Sequence, residues 1–86
     1  MAKANTAIRL AKLIDKLETI LDEWYYIIDG DTKTDLTKQE VYNIVMEDEE
    51  IHFLGKDTIM TWVNMFYDDW NSYERTRLAL VRNGVI

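Results

Sequence analysis

Cysteine and proline are absent from this chain of 86 residues, histidine occurs once and glycine three times. Without cysteine there is no disulfide scaffold, no thiolate metal site and no cysteine nucleophile. One histidine, His52, builds neither a His-based metal cluster nor a Ser-His-Asp triad, and it reads as a partly exposed residue between Ile51 and Phe53. No apolar run approaches the roughly 18 residues of a membrane span. The first residues, Met1 to Thr6, lack the apolar core of a signal peptide, so a soluble, cytoplasmic protein is expected. There is no glycine-rich phosphate loop. With proline missing, Gly30, Gly55 and Gly84 are the strongest punctuation. Each ends a periodic segment and reads as a helix stop.

What remains is globular: 48% hydrophobic and 30% charged residues exclude bulk disorder. The length fits a single domain over 1–86, one small enough to bury only about 60% of the surface its unfolded chain exposes. The formal charge of -6 is unevenly placed. Residues 1–28 balance Lys3, Arg9, Lys12 and Lys16 against Asp15, Glu18, Asp22 and Glu23. Residues 58–86 balance Arg75, Arg77 and Arg82 against Asp68, Asp69 and Glu74. The whole excess lies in 29–57, where Asp29, Asp31, Asp35, Glu40, Glu47, Asp48, Glu49, Glu50 and Asp57 face Lys33, Lys38 and Lys56. That balance opposes binding a phosphate backbone and favours a protein partner with a basic surface. Residues with AT-rich codons (Phe, Tyr, Met, Ile, Asn, Lys) outnumber Gly, Ala and Arg, which suits a low-GC source such as a Gram-positive bacterium or its phage.

Hydrophobic periodicity predicts an all-α fold, a small three-helix bundle in which two long helices flank a shorter one. The first helix is expected over 6–29, on Leu10, Leu13, Ile14, Leu17, Ile20, Leu21, Trp24, Ile27 and Ile28, with Asn5 or Thr6 as N-cap. Its last turn, Trp24 to Ile28, also has strand propensity. The second, over 37–47, carries a capping box in Thr37 and Glu40 and a hydrophobic staple in Leu36 and Val41. A short element near 49–54 follows, with the acids 47–50 placed at a helix C-terminus, where the dipole disfavours them. The third helix is expected over 58–83, with Asp57 as N-cap and Ile59, Trp62, Val63, Phe66, Trp70, Tyr73, Leu80 and Val81 in one sector.

The segment Asp29–Glu40 partly resembles an EF-hand loop, with acids at its first, third and twelfth positions. Lys33 stands where an oxygen ligand belongs and Thr34 where glycine does, so a solvated helix–helix loop is the reading adopted and no metal or cofactor is assigned. Carboxylates abound, yet none is placed in an apolar pocket that would tune it for acid–base work. A helix-turn-helix reading fails because the third helix opens on Asp57-Thr58-Ile59-Met60-Thr61-Trp62-Val63, with no cation to meet DNA.

The aromatics carry the functional expectation. Trp62, Phe66, Tyr67, Trp70 and Tyr73 crowd one helix, and Trp24, Tyr25 and Tyr26 end another. Most belong to a core, but Met60, Tyr67 and Leu78 widen the apolar face beyond one neighbour's needs, and Tyr25 and Tyr26 do not both fit inward beside Trp24. Arg77 stands in the middle of the apolar stripe, its stem packing and its guanidinium reaching out. These features predict a non-enzymatic protein-interaction module, such as a small phage or mobile-element protein acting on a host protein. Its candidate contact residues are Tyr25, Tyr26, Glu47, Asp48, Glu49, Glu50, Tyr67, Asp68, Asp69, Trp70 and Arg77. The alternatives are an acidic DNA mimic and a structural homo-oligomer, an antiparallel homodimer using the seam Leu10, Leu13, Leu17, Ile20 and Trp24.

Overall fold

The computed structural model describes the backbone of residues 2–85 and the side chains of residues 6–85. Helix α1 spans Ala2–Trp24 and is followed by strands β1 (Tyr25–Ile28) and β2 (Asp31–Thr34). Four further helices complete the described residues: α2 (Lys38–Val45), α3 (Glu49–His52), α4 (Lys56–Asp68) and α5 (Trp70–Arg82). The molecule is mostly helical with a small two-stranded sheet, and this corrects the all-α three-helix expectation in two places.

The first correction is at the end of α1. Residues 25–28 leave the helix and pair antiparallel with 31–34, in the register Tyr25↔Thr34, Tyr26↔Lys33, Ile27↔Thr32 and Ile28↔Asp31. The turn between them is Asp29-Gly30, with φ of +52° and +83°. Positive φ at both positions is what a two-residue hairpin turn of type I′ requires, and Asp-Gly is among the sequences that supply it most readily. Gly30 is therefore a hairpin residue and no helix stop. The β-branched and aromatic run Tyr25-Tyr26-Ile27-Ile28 fits a pleated strand better than a helical turn. Thr34 locks the base of the hairpin, its hydroxyl donating to the Trp24 carbonyl at 2.9 Å and accepting from the Leu36 N–H at 3.2 Å. At the other end, α1 begins upstream of Asn5 and Thr6, so neither is its N-cap; the side chain of Asn5 lies outside the described residues.

The second correction is at Asp69, which divides the expected third helix. Its backbone (φ -142°, ψ 74°) is not helical, and its carboxylate accepts from the Ser72 N–H at 3.2 Å and the Ser72 hydroxyl at 2.7 Å. Asp69 thus ends α4 and caps α5 in one step. The start of α4 also differs from expectation: Gly55, at φ +91°, precedes it and Asp57 sits in its first turn.

The capping box of α2 is formed as expected. The Glu40 N–H donates to the Thr37 hydroxyl at 3.1 Å, and the Thr37 N–H donates to the Glu40 carboxylate at 3.0 Å. Both staple residues, Leu36 and Val41, are buried. α3 occupies part of the expected short element, but with a reversed electrostatic meaning. Asp48 is its N-cap, accepting from the Glu50 N–H at 2.9 Å, and Glu49 and Glu50 lie in its first turn. The acids therefore sit at a helix N-terminus, where the dipole favours them.

One core joins these elements. α1 supplies Leu13, Ile14, Leu17 and Ile20, the α2 region Leu36, Val41 and Val45, and α3 Ile51. α4 adds Ile59, Trp62, Val63 and Phe66, whereas α5 adds only Tyr73. Leu13, Leu17 and Ile20, the middle of the seam considered for a homodimer, are fully covered within the chain. Among the described residues, no helix is long and apolar enough to cross a membrane.

Candidate functional site

Where the hairpin meets the α4–α5 break, side chains from five elements enclose a cleft of about 380 Å³. α1 contributes Leu21, β1 Tyr25, β2 Thr32, α4 Phe66 and Tyr67, and α5 Trp70. The hairpin brings Tyr25 over α4, its ring edge-on to Phe66 with centroids 5.5 Å apart. The break at Asp69 turns Trp70 out of the expected stripe. It stays in contact with the core, 5.8 Å from Phe66 and stacked on Tyr73 at 5.0 Å, yet 42% of its surface is exposed. Tyr67 is fixed by its hydroxyl, which donates to the Leu36 carbonyl at 2.7 Å. The Lys38 ammonium stands 6.0 Å above the Tyr67 ring and pairs with Asp68.

Three of the expected contact residues, Tyr25, Tyr67 and Trp70, therefore meet in one place. Asp68 and Asp69 lie at its edge, the first paired with Lys38 and the second engaged as the α5 cap, which holds its carboxyl below the ordinary 3.8. Tyr26 lies on the opposite face of the hairpin from Tyr25, exposed, its hydroxyl donating to Asp35 at 3.0 Å.

The acids at 47–50 do not join this group. Glu50 pairs with Arg9 at 3.5 Å, and Arg9 lies 4.6 Å over the Phe53 ring. Arg9 stands fifteen residues before Trp24 on α1, about 22 Å along a helix. Glu47 borders a separate hollow with Lys16, Glu23, Trp24 and Ile44. Asp48 is an N-cap, and Glu49 is an exposed residue of the first turn of α3. Arg77 is engaged inside the chain: its guanidinium bonds Glu74 at 3.0 Å and lies 3.9 Å from Glu18 of α1. The stem packs and the charge answers acids of this same molecule.

The six side chains that line the cleft are uncharged. Burial, with Tyr67 nearby, pushes the Tyr25 hydroxyl up to about 12, so it stays neutral across the physiological range. Among the described residues no group of three or more His, Cys, Asp or Glu side chains gathers as metal ligands. The acids of the segment compared with a calcium loop are divided between the hairpin turn and the α2 cap, where Glu40 is held by Thr37. His52 ends α3 exposed, bonded to the Met46 carbonyl.

The hairpin is the part of the cleft that periodicity missed. The signal for it was present, an Asp-Gly pair between an aromatic, β-branched run and a Thr-rich one. Comparison of the chain with protein-family models, curated proteins and solved structures finds no match.

Proposed function

We propose that this protein is a non-enzymatic protein-interaction module that binds a segment of its partner in the Tyr25–Tyr67–Trp70 cleft. The observation that carries this reading is the convergence of four aromatic rings on one open, mostly apolar cleft. An aromatic group left half-covered beside polar residues is the usual composition of an interface anchor. The cleft volume of about 380 Å³ accommodates one or two side chains and leaves the rest of a bound segment to run over the hairpin. Beside it, Ile27 and Ile28 of β1 are 76% and 51% exposed, and both strands of the two-stranded sheet are edge strands, the element that strand addition uses. A small phage or mobile-element protein acting on a host protein is the biological setting we favour. The acidic DNA-mimic alternative loses ground because Asp48, Glu50, Asp68 and Asp69 are committed to caps and ion pairs.

The test is selection of a random linear peptide library on the folded protein, followed by NMR mapping of the selected peptides. Binders are expected to shift the Trp70 indole N–H and the amides of Thr32 and Tyr67. They should bind the Trp70→Ala variant at least ~10-fold more weakly, as an anchor residue implies. Selected peptides that perturb another face, or that bind Trp70→Ala equally well, would contradict the proposal.

A further inference from the structure

What the lining of the cleft offers narrows what can enter it. None of its side chains carries a charge, and none carries a carbonyl, carboxylate or amide oxygen. The Tyr67 hydroxyl is spent on the Leu36 carbonyl. Among the described residues, the hydroxyls of Tyr25 and Thr32 and the indole N–H of Trp70 have no hydrogen-bond partner in the chain. Burial keeps the proton on Tyr25, so all three groups are available to donate. Around them stand the rings of Tyr25, Phe66, Tyr67 and Trp70. The cleft also lies against one face of the hairpin: Tyr25 pairs with Thr34 and Ile27 with Thr32, which sets Tyr25 and Thr32 on the same side of the sheet. The unpaired backbone groups of an edge strand point within the plane of the sheet instead.

Resting on the reading of the cleft as the binding surface, we propose that its occupant is a proline-rich segment of the partner protein in the polyproline II conformation. A proline has a backbone carbonyl and no N–H, so such a segment brings acceptors to a lining whose free polar groups donate. The match is electrostatic complementarity between dipoles, with no charge on either side. A polyproline II segment has no internal hydrogen bonds, which leaves its carbonyls free, and its apolar rings pack in grooves lined by aromatic side chains. It is also extended before it binds, so little ordering is lost on entry. A β-strand brings an N–H at every residue, and these find no carbonyl or carboxylate among the lining side chains; its seat is a sheet edge, in the plane of the hairpin. A charged side chain would lose its water to an uncharged lining without a counter-charge in return. A second copy of this chain is excluded as the occupant, since the sequence contains no proline.

Two synthetic peptides test this, Ac-Ala-Pro-Pro-Ala-Pro-Pro-Ala-NH2 and the strand-prone peptide with threonine at each proline position, titrated into the labelled protein by NMR. The proline peptide is expected to shift the Trp70 indole N–H and the Thr32 and Tyr67 amides saturably, with little dependence on salt, and to bind more tightly than the threonine peptide. Tyr25→Phe keeps the ring and removes one donor, so it should weaken the proline peptide by about two- to tenfold, the net value of one hydrogen bond. If Tyr25→Phe fails to fold, Thr32→Val, which puts a methyl in place of the hydroxyl, should act in the same direction. Equal or tighter binding of the threonine peptide at the same residues would overturn the proline assignment while leaving the cleft as the binding surface. Absence of any shift with the proline peptide, or unchanged affinity in the folded variant, would also overturn it. The peptide selection described above judges the cleft itself: selected binders that map to the cleft and lack proline would remove this inference alone.

Discussion

Tyr73 has no exposed surface, and its hydroxyl, like the Arg77 Nε, is buried without a hydrogen-bond partner. The ring accounts for its position: it packs edge-on to Trp62 at 5.9 Å and to Phe66 at 5.4 Å, and stacks on Trp70. The hydroxyl forgoes water for no bond in return, so Tyr73→Phe should be neutral or stabilising, within about 1 kcal/mol, in chemical denaturation. Tyr73→Ala should cost about 3–5 kcal/mol by emptying the space between α4 and α5. A marked loss of stability in Tyr73→Phe would mean that the hydroxyl has a partner, such as a buried water.

The same residue predicts a pH dependence. Burial raises Tyr73 and Tyr25 above the ordinary 10.0, Tyr25 to about 12. The folded state then holds these protons more tightly than the unfolded one, so the contribution is intact below pH 10 and lost as pH rises above it. Melting curves followed by circular dichroism between pH 9 and 12 should fall less steeply for Tyr73→Phe than for the wild type. Equal slopes would remove Tyr73 from the titration.

At the scale of elements, the hairpin depends on its turn. Nothing lies within 4 Å of the position a Gly30 Cβ would take, so substitution there meets no steric neighbour and its cost is conformational. Gly30→Val forces a β-branched residue to φ near +83°, at about 1–2 kcal/mol. Cross-strand NOEs between Tyr26 and Lys33 should weaken while the helical signal persists. Retention of the full hairpin would show that tertiary contacts alone hold it.

The elements also show what was legible in the sequence. The capping box, the staple and the helical spacing of Leu13 to Ile20 are local signals, and the structure forms them as read. The stop at Gly84 is also formed, with the Val85 N–H donating to the Leu80 carbonyl at 2.9 Å and the Gly84 N–H to that of Val81 at 3.1 Å. The two errors share a cause: a repeat of three and four continues across a short strand or a one-residue break without losing phase. Asp29-Gly30 and the Asp69–Ser72 spacing were the local cues that outranked periodicity. The cleft itself was half legible. Its tyrosines and tryptophan stood out as surplus aromatics, but Leu21 and Thr32 enter it only through the hairpin.

For the whole molecule, the accessible surface of 5795 Å² and extents of 46 × 27 × 19 Å describe an elongated body. A compact monomer of its mass exposes about 5300 Å². The excess is not a vacant α1 seam, since Leu13, Leu17 and Ile20 are covered by the chain's own helices. The antiparallel dimer through α1 loses the middle of its seam to the chain's own core, while Trp24 at the end of the seam is 49% exposed and Arg9 of the same helix is paired with Glu50. Sedimentation equilibrium should give a mass near 10.2 kDa for the wild type and for Asp22→Lys with Glu23→Lys alike. A dimer abolished by that double change would restore the α1 interface.

α5 gives one buried residue, Tyr73, to the core, with Leu80 partly buried against it, and Leu78 and Val81 on its later turns are 39% and 48% exposed. Such a helix opens by local unfolding at a free energy below that of the whole domain. Its amides from Arg75 to Arg82 should therefore exchange with solvent deuterium well before those of Leu13–Ile20 in α1. Trp70 begins α5 and forms one wall of the cleft, so each undocking of the helix also opens the site. If the cleft binds as proposed, a bound segment should slow exchange along α5 at residues it never touches, and loosening α5 should weaken binding once the undocked form is appreciably populated.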